Sequence, residues 1–302
     1  MLYDISLRMA YRYDFSADAG RHIARLLPAD IPGEQRLVAG SLGIVPRPDE
    51  WINFVDFFGN GCVEVGFDRQ HGEVAFTVQS RVERHAPGEI LDISPSLDGL
   101  ADEVFAWRGM DGTSPHHFLG ASPRVPMEQA TTDYARAIAA ACPSVLGIVH
   151  AIGLALHGEM RFDPEATTVE TPMLEAFERR HGVCQDFTHV MIACLRGIGI
   201  PAGYVSGFLR TIPPKGEERL EGADAMHAWV RAWCGVELGW VEFDPTNAIH
   251  AGEDHVVVAR GRDYFDVSPI KGTMRTAGAQ SSSHMVDVIP VRETAQAPRD
   301  AG

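Results

Sequence analysis

The 302-residue chain lacks the features that mark several large classes of protein. Its most apolar stretch, residues 145–156, is too short to span a bilayer and contains a histidine. Its first residues alternate polar and apolar side chains, whereas a signal peptide has a basic start and an apolar core. It has no run of Lys or Arg, and a net charge of −15 would repel nucleic acid and anionic membranes. We therefore expect a cytoplasmic protein that binds neither.

Patterned cysteines and metal-ligand clusters are also lacking. The five cysteines are odd in number, widely spaced and outside any C-x-x-C motif, which argues against a disulfide framework or a zinc ribbon. Reduced thiols, as in the cytosol, fit this pattern best. His116-His117 has no further ligand at metal-site spacing, and no carboxylate loop has calcium-site spacing. We expect neither a metal nor another cofactor.

The spacing of apolar residues changes along the chain, from strand-like in the N-terminal part to helix-like further on. We therefore expect a fold of the α+β class. Residues 5–13 alternate in the manner of a strand, and further β-type runs follow to about residue 82, with tight turns at Asn60-Gly61 and His71-Gly72. The predicted division is an antiparallel β-sandwich over 1–95, a linker with a short helix over 96–128, a catalytic core over 129–292 and a disordered tail over 293–302. The pattern predicts helices over 131–141 and 145–156 and a last strand over 285–291.

A cysteine begins the most informative helix. The apolar residues after Cys184 are spaced by three and one, which is typical of a buried amphipathic helix: Phe187, Val190, Met191, Cys194, Leu195 and Ile198. Cys184 would lie at the positive end of the helix dipole, which favours a thiolate nucleophile and offers N–H groups to an oxyanion. The alternative is a buried structural cysteine, and Cys194 in the apolar stripe is expected to be inert.

A histidine and an aspartate on a predicted hairpin could complete a catalytic site. If the runs 226–233 and 238–244 pair around a four-residue loop, His227 lies directly opposite Asp244. The carboxylate would then orient the imidazole while the other ring nitrogen faces the thiol. The opposite face would carry only apolar residues, and a one-residue slip would reverse the faces.

These segments resemble the transglutaminase-like superfamily, whose motifs occur here in the order Cys, His, Asp. The matching segments are Gly182-Val183-Cys184-Gln185-Asp186, the run 196–202, His227-Ala228-Trp229 and the run 240–246. The N-terminal part, with residues 56–60, is similar to the β-domain that precedes many bacterial members.

The resemblance implies a papain-like core, in which the helix that carries the cysteine packs on an antiparallel sheet. The resemblance also implies that Cys184 is the nucleophile, that His227 is the base and that Asp244 orients His227. We also assign Gln185, Asp186 and Trp229 to the substrate cleft. Where bacterial relatives tend to show an aromatic-x-Tyr, this chain has residues 160–162, Met-Arg-Phe, without a ring hydroxyl.

Three functions compete at this stage. The first is a cysteine hydrolase acting on a peptide or protein amide, and it is the one we favour because bacterial members of this type are usually described as proteases. The second is an amine cross-linking enzyme with the same triad, and the third is a binding module without catalysis. The sequence does not indicate the substrate, a second oxyanion donor or the oligomeric state.

Overall fold

The computed structural model describes residues 1–211 and 224–291, and these form a mixed structure of antiparallel sheets and helices. The strands are β1 Leu2–Ala17, β2 Ala19–Ala24, β3 Gln35–Val45, β4 Glu50–Val55, β5 Gly61–Phe67, β6 His71–Arg84, β7 Arg161–Phe162, β8 His181–Gly182, β9 Ala202–Leu209, β10 Ala225–Trp233, β11 Trp240–Asp244, β12 Ile249–His250, β13 His255–Gly261, β14 Ile270–Arg275 and β15 Gln280–Pro290. The helices are α1 Leu97–Ala106, α2 Gln129–Ala139, α3 Val145–Glu159, α4 Met173–Arg179, α5 Cys184–Gly197 and α6 Tyr264–Val267. No helix in these two ranges is long and apolar enough to cross a membrane.

The N-terminal part consists of two four-stranded sheets, in the strand orders β15-β1-β6-β3 and β14-β2-β5-β4. The predicted alternation in β1 is observed: Ile5, Leu7, Met9 and Tyr13 are buried, and Tyr11 packs half-buried against the same core. The predicted strand runs are observed within a few residues of their expected ends. The apolar faces of both sheets contribute to one hydrophobic core, which also includes the helices.

The end of the chain returns to these N-terminal sheets. β14 pairs with β2, and β15 pairs with β1 along eleven residues, from Tyr3 opposite Pro290 to Tyr13 opposite Gln280. The expected core range of 129–292 therefore includes two strands that belong to the N-terminal sheets, and the two halves are not separate along the sequence. Pairing between segments so far apart leaves no trace in local periodicity, which explains the difference. The predicted tail, 293–302, lies outside the described residues.

The second half of the fold is built on a five-stranded antiparallel sheet in the order β12-β11-β10-β9-β13. α5 packs on this sheet, and its predicted apolar residues are buried from Phe187 to Leu195. The face of β10 and β11 that carries Val230 and Phe243 joins the same core as α5. The opposite face carries Trp229, which packs in a smaller cluster with residues of the N-terminal half. Both faces of the sheet are therefore covered.

The predicted register of the β10–β11 hairpin is wrong by two residues. Trp233 lies opposite Trp240 and Val230 opposite Phe243, and the loop covers residues 234–239 instead of four residues. A shift of two leaves every side chain on its predicted face, because side chains alternate with period two. Asp244 is therefore on the expected face, two residues along the strand from direct opposition to His227.

Candidate active site

The first residue of α5 is Cys184, as the apolar spacing predicted. Just before it, β7 and β8 pair in parallel and place Phe162 opposite Gly182. Phe162 is 55% exposed, whereas Met160 is buried, so the exposed side chain paired with the backbone just before Cys184 is a phenyl ring without a hydroxyl. Cys184 itself is only partly buried and forms no disulfide.

The start of α5 is held by a carboxylate inside its own first turn. Asp186 Oδ2 accepts a hydrogen bond from the backbone N–H of Val183, at 2.8 Å, and another from Thr167 Oγ1, at 2.6 Å. Asp186 is 1% exposed, and burial raises its pKa although both hydrogen bonds lower it. A Cβ on Gly182 would lie 2.5 Å from the same oxygen, so only glycine allows the chain to pass so close. This arrangement fixes the backbone that carries Cys184.

Next to the thiol, His227 and Asp244 form a buried pair. His227 Nε2 lies 2.7 Å from Asp244 Oδ2, and Asp244 is 0% exposed. Burial alone would lower the pKa of His227, but the hydrogen bond to Asp244 and the interactions with Cys184 outweigh it and raise the pKa to about 10. Burial would raise the pKa of Asp244, yet hydrogen bonds from His227 and His255 hold it far below its usual range. Both shifts favour the charged forms of the pair, an imidazolium beside a carboxylate.

Two residues that the sequence analysis missed complete the surroundings of Asp244. Asn247 donates its side-chain N–H to Oδ2 at 2.7 Å, and the backbone N–H groups of Thr246 and Asn247 donate to Oδ1. The D-P-T-N run carries a recognisable turn signal, because aspartate often accepts from backbone two residues ahead. His255 Nε2 lies 3.1 Å from Oδ2, and nothing in the local pattern around His255 indicates this contact.

A ring nitrogen of His227, a ring nitrogen of His255 and a carboxylate oxygen of Asp244 lie within 4.8 Å of one another, which is close enough for three ligands of one metal ion. The N–H of Gly252 donates to His255 Nδ1 at 3.2 Å, which places the His255 proton on Nε2. A protonated Nε2 has no lone pair for a metal ion. The donor set therefore fits a hydrogen-bond network better than a metal centre.

The three residues assigned to the substrate cleft are instead buried supports of the site. Trp229 is 0% exposed, and its indole N–H donates to Glu242 at 2.8 Å. Asp186 stabilises the helix start described above, and Gln185 is 7% exposed with its amide directed at the Val169 carbonyl. The indole N–H of Trp229, the carboxylate of Asp186 and the amide nitrogen of Gln185 are all engaged by other groups of the protein. Adjacency in sequence to Cys184 or His227 did not determine which way these side chains point.

A cysteine at a helix start, a histidine on an adjacent strand and an orienting aspartate define a Cys-His-Asp site on a papain-like fold. Residues 132–245 match the transglutaminase-like superfamily, and residues 3–83 match the bacterial transglutaminase-like N-terminal region. The chain belongs to the transglutaminase-like superfamily and carries the N-terminal domain of its bacterial members.

Similar proteins cover nearly the whole chain. An uncharacterized protein of Mycobacterium tuberculosis is 31% identical over 300 residues, which covers 95% of this chain and 92% of the relative. An uncharacterized protein of Mycobacterium leprae is 29% identical over 283 residues, covering 92% and 95%. A crystal structure of a candidate cysteine protease from Cytophaga hutchinsonii matches with a TM-score of 0.74 and 21% identity, over 95% of this chain and 90% of the other. This structural match confirms the expected α+β fold.

Proposed function

We propose that the protein is a cysteine hydrolase that cleaves an amide or peptide bond through a thioester on Cys184. The single observation that carries this proposal is the buried His227–Asp244 pair, with its 2.7 Å contact and raised histidine pKa, beside a partly exposed cysteine at a helix start. A buried imidazolium next to a thiol stabilises the thiolate, which is the nucleophilic form.

We propose a separate role for each nitrogen of His227. Nε2 is engaged by Asp244, which leaves Nδ1 for the thiol of Cys184. The thiolate attacks the amide carbon, and the imidazolium gives its proton to the departing amine as the C–N bond breaks. Water then attacks the thioester carbon and gives a proton to His227, and the C–S bond breaks to release an acid.

The start of α5 offers the groups that would stabilise the oxyanion. The N–H groups of Asp186 and Phe187 donate to the Val183 carbonyl, whereas helix geometry gives Cys184 and Gln185 no intrahelical acceptor. We propose the backbone N–H groups of these two residues as oxyanion donors. This also gives Gln185 a place in the cleft through its backbone, although its side chain is buried.

Product analysis tests the proposal. Wild type and Cys184→Ala are incubated with a mixture of labelled peptides, with and without an added primary amine, and products are identified by mass spectrometry. The matched control is Cys142→Ala, which removes a partly buried thiol outside the site. We expect cleaved peptides from wild type and the control and none from Cys184→Ala.

The other outcomes separate the competing functions. Amine adducts without cleavage would indicate a cross-linking enzyme with the same thioester. Peptide binding without any product, unchanged in Cys184→Ala, would indicate a binding module. Cleavage that persists in Cys184→Ala would overturn the mechanism. The described part of the chain contains five free thiols, and these support our proposal of a reducing, cytoplasmic compartment.

A further inference from the structure

We infer that His255 is a positioning residue that holds the Asp244 carboxylate toward His227, an inference that rests on the proposed function of the triad. His255 begins β13, where its backbone pairs with Leu209 of β9. Its Nε2 reaches Asp244 Oδ2 at 3.1 Å, and the residue is 1% exposed. No substrate can touch a side chain buried to this degree, so any effect on catalysis passes through Asp244.

The direction of this hydrogen bond follows from the other side of the ring. Because the Gly252 N–H donates to Nδ1, that nitrogen is an acceptor, and the neutral ring carries its proton on Nε2. His255 is therefore a donor to Asp244. The ring plane is fixed by an edge-on contact with Trp229, whose ring centroid lies 5.1 Å away. A fixed tautomer and a fixed plane make the donor directional.

The hydrogen bonds of Asp244 show why such a donor matters. Oδ1 accepts two backbone N–H groups from the turn that follows β11, and Oδ2 accepts from His227, Asn247 and His255. A fully buried carboxylate stays ionised only when its oxygens are well supplied with donors. The Asn247 amide and His255 both reach the oxygen that contacts His227, so they fix its position. The arrangement parallels the support that metal-ligating histidines receive from their hydrogen-bond partners, where loss of the partner typically costs about 10–100-fold in activity.

Two substitutions of His255 distinguish a role in positioning Asp244 from a role in packing. His255→Gln keeps an N–H donor near the position of Nε2 but fills the pocket poorly, whereas His255→Phe keeps the ring and removes the donor. We expect kcat to fall about 10–100-fold in the Phe variant with KM changed less than about threefold, and Gln to recover most of the loss. His85→Gln, at an exposed histidine, is the matched control and should behave as wild type. If Phe is as active as wild type or more active than Gln, His255 serves packing and the inference fails.

A readout independent of turnover separates this inference from the proposed function. The alkylation rate of Cys184 by iodoacetamide should follow the same order, with wild type fastest, Gln intermediate and Phe slowest, even if no peptide is cleaved. In wild type, ¹⁵N spectra of the histidine rings at pH 7 should show His255 protonated on Nε2 and not on Nδ1. Protonation on Nδ1 would overturn the inference whatever the fate of the variants, and would leave the hydrolase proposal standing.

Discussion

The Asp244 carboxylate is fully buried and accepts five N–H groups, and one of its oxygens contacts both His227 and His255. Asp244 therefore affects both the protonation of His227 and the stability of the fold, and the two effects can be measured separately. Its charge favours the imidazolium of His227, and its oxygens satisfy buried donors that would otherwise be left unpaired.

Replacing Asp244 with asparagine should therefore reduce both activity and stability. Asp244→Asn removes the charge and turns an N–H2 group toward donors, so we expect kcat to fall by about ten-thousand-fold, as in other triads. The free energy of unfolding should fall by about 1–3 kcal/mol. Steady-state kinetics and urea denaturation measure the two effects, with Asp133→Asn on the exposed side of α2 as the control. An Asn variant within tenfold of wild-type activity would contradict the assigned role.

The raised pKa of His227 predicts a loss of stability at alkaline pH. The pKa is about 10 in the folded protein and 6.5 for an ordinary histidine, so the folded state binds this proton more tightly. The resulting stabilisation is complete below pH 6.5 and is lost as the pH rises toward 10. Urea denaturation from pH 6 to 10 should show a steeper decline for wild type than for His227→Gln. Equal slopes, with His85→Gln matching wild type, would count against an imidazolium in the site.

The five cysteines should differ sharply in their reaction with alkylating agents. Burial raises the pKa of Cys62 to about 11 and those of Cys194 and Cys234 to about 12, so these thiols stay protonated. Mass-spectrometric counting after iodoacetamide treatment of the folded protein should find Cys184 labelled at least about tenfold faster than Cys142, the other partly buried thiol, because only the thiolate reacts. Similar rates for the two would favour the binding module over the enzyme.

At the scale of the elements, the reactivity of Cys184 depends on how α5 begins. Val183 provides no side-chain cap, and the Asp186 carboxylate in the first turn accepts from the Val183 N–H, which is the reciprocal half of a capping box. The chain reaches this geometry only because Gly182 leaves room for the carboxylate. The sequence showed the helix and its first residue, but the cap and the glycine are understood only from the contact between them.

Gly182→Ala should consequently weaken the site without touching its catalytic groups. The added Cβ would lie 2.5 Å from Asp186 Oδ2, and the forced shift should cost about 1–3 kcal/mol of stability and slow the alkylation of Cys184. Gly158→Ala is the matched control, since a Cβ there meets nothing within 4 Å and helix propensity favours alanine. Thermal unfolding and alkylation rates test both variants, and a Gly182→Ala protein as stable as Gly158→Ala would refute the proposed steric role.

Over the whole molecule, the N-terminal half covers the edge of the five-stranded sheet. β13 is an edge strand, and its free backbone groups meet side-chain amides instead of another strand. Gln35 bonds both the N–H and the carbonyl of Val257 at 2.8 Å, and Asn60 does the same at Arg260 at 2.7 and 2.8 Å. An edge covered in this way is protected from pairing with other chains. The same strand begins with His255, so β13 connects the N-terminal half to the surroundings of Asp244.

Removing one of these amides should destabilise the protein as a whole. Gln35 is 1% exposed, and Gln35→Ala leaves the buried Val257 N–H without its acceptor, at a cost of about 1–3 kcal/mol. Urea denaturation should show a single transition for wild type and a lower midpoint for the variant. Gln79→Ala, at an exposed position of β6, should leave the midpoint unchanged. A Gln35→Ala midpoint equal to that of wild type would argue against coupling between the halves.

The spacing of apolar residues and the local motifs were enough to predict most of the strands, α5 and the family. Spacings of two, and of three and four, located the strands and α5, and the motifs around Cys184, His227 and Asp244 indicated the family. The assignment of these three residues as a catalytic triad stays a prediction. Parity alone placed Asp244 on the correct face, because a register error of two residues preserves faces.

Only the tertiary structure decided what depends on contacts between distant segments. Three features join residues that no local pattern connects. They are the pairing of β14 and β15 with the N-terminal sheets, the hydrogen bonds of the Gln35 and Asn60 side-chain amides to β13, and the contact of His255 with Asp244. The burial of Trp229 and Asp186 is of the same kind, since adjacency to a catalytic residue does not fix side-chain direction. A sequence encodes local periodicity directly, whereas hydrogen bonds across the fold exist only once the chain has closed on itself.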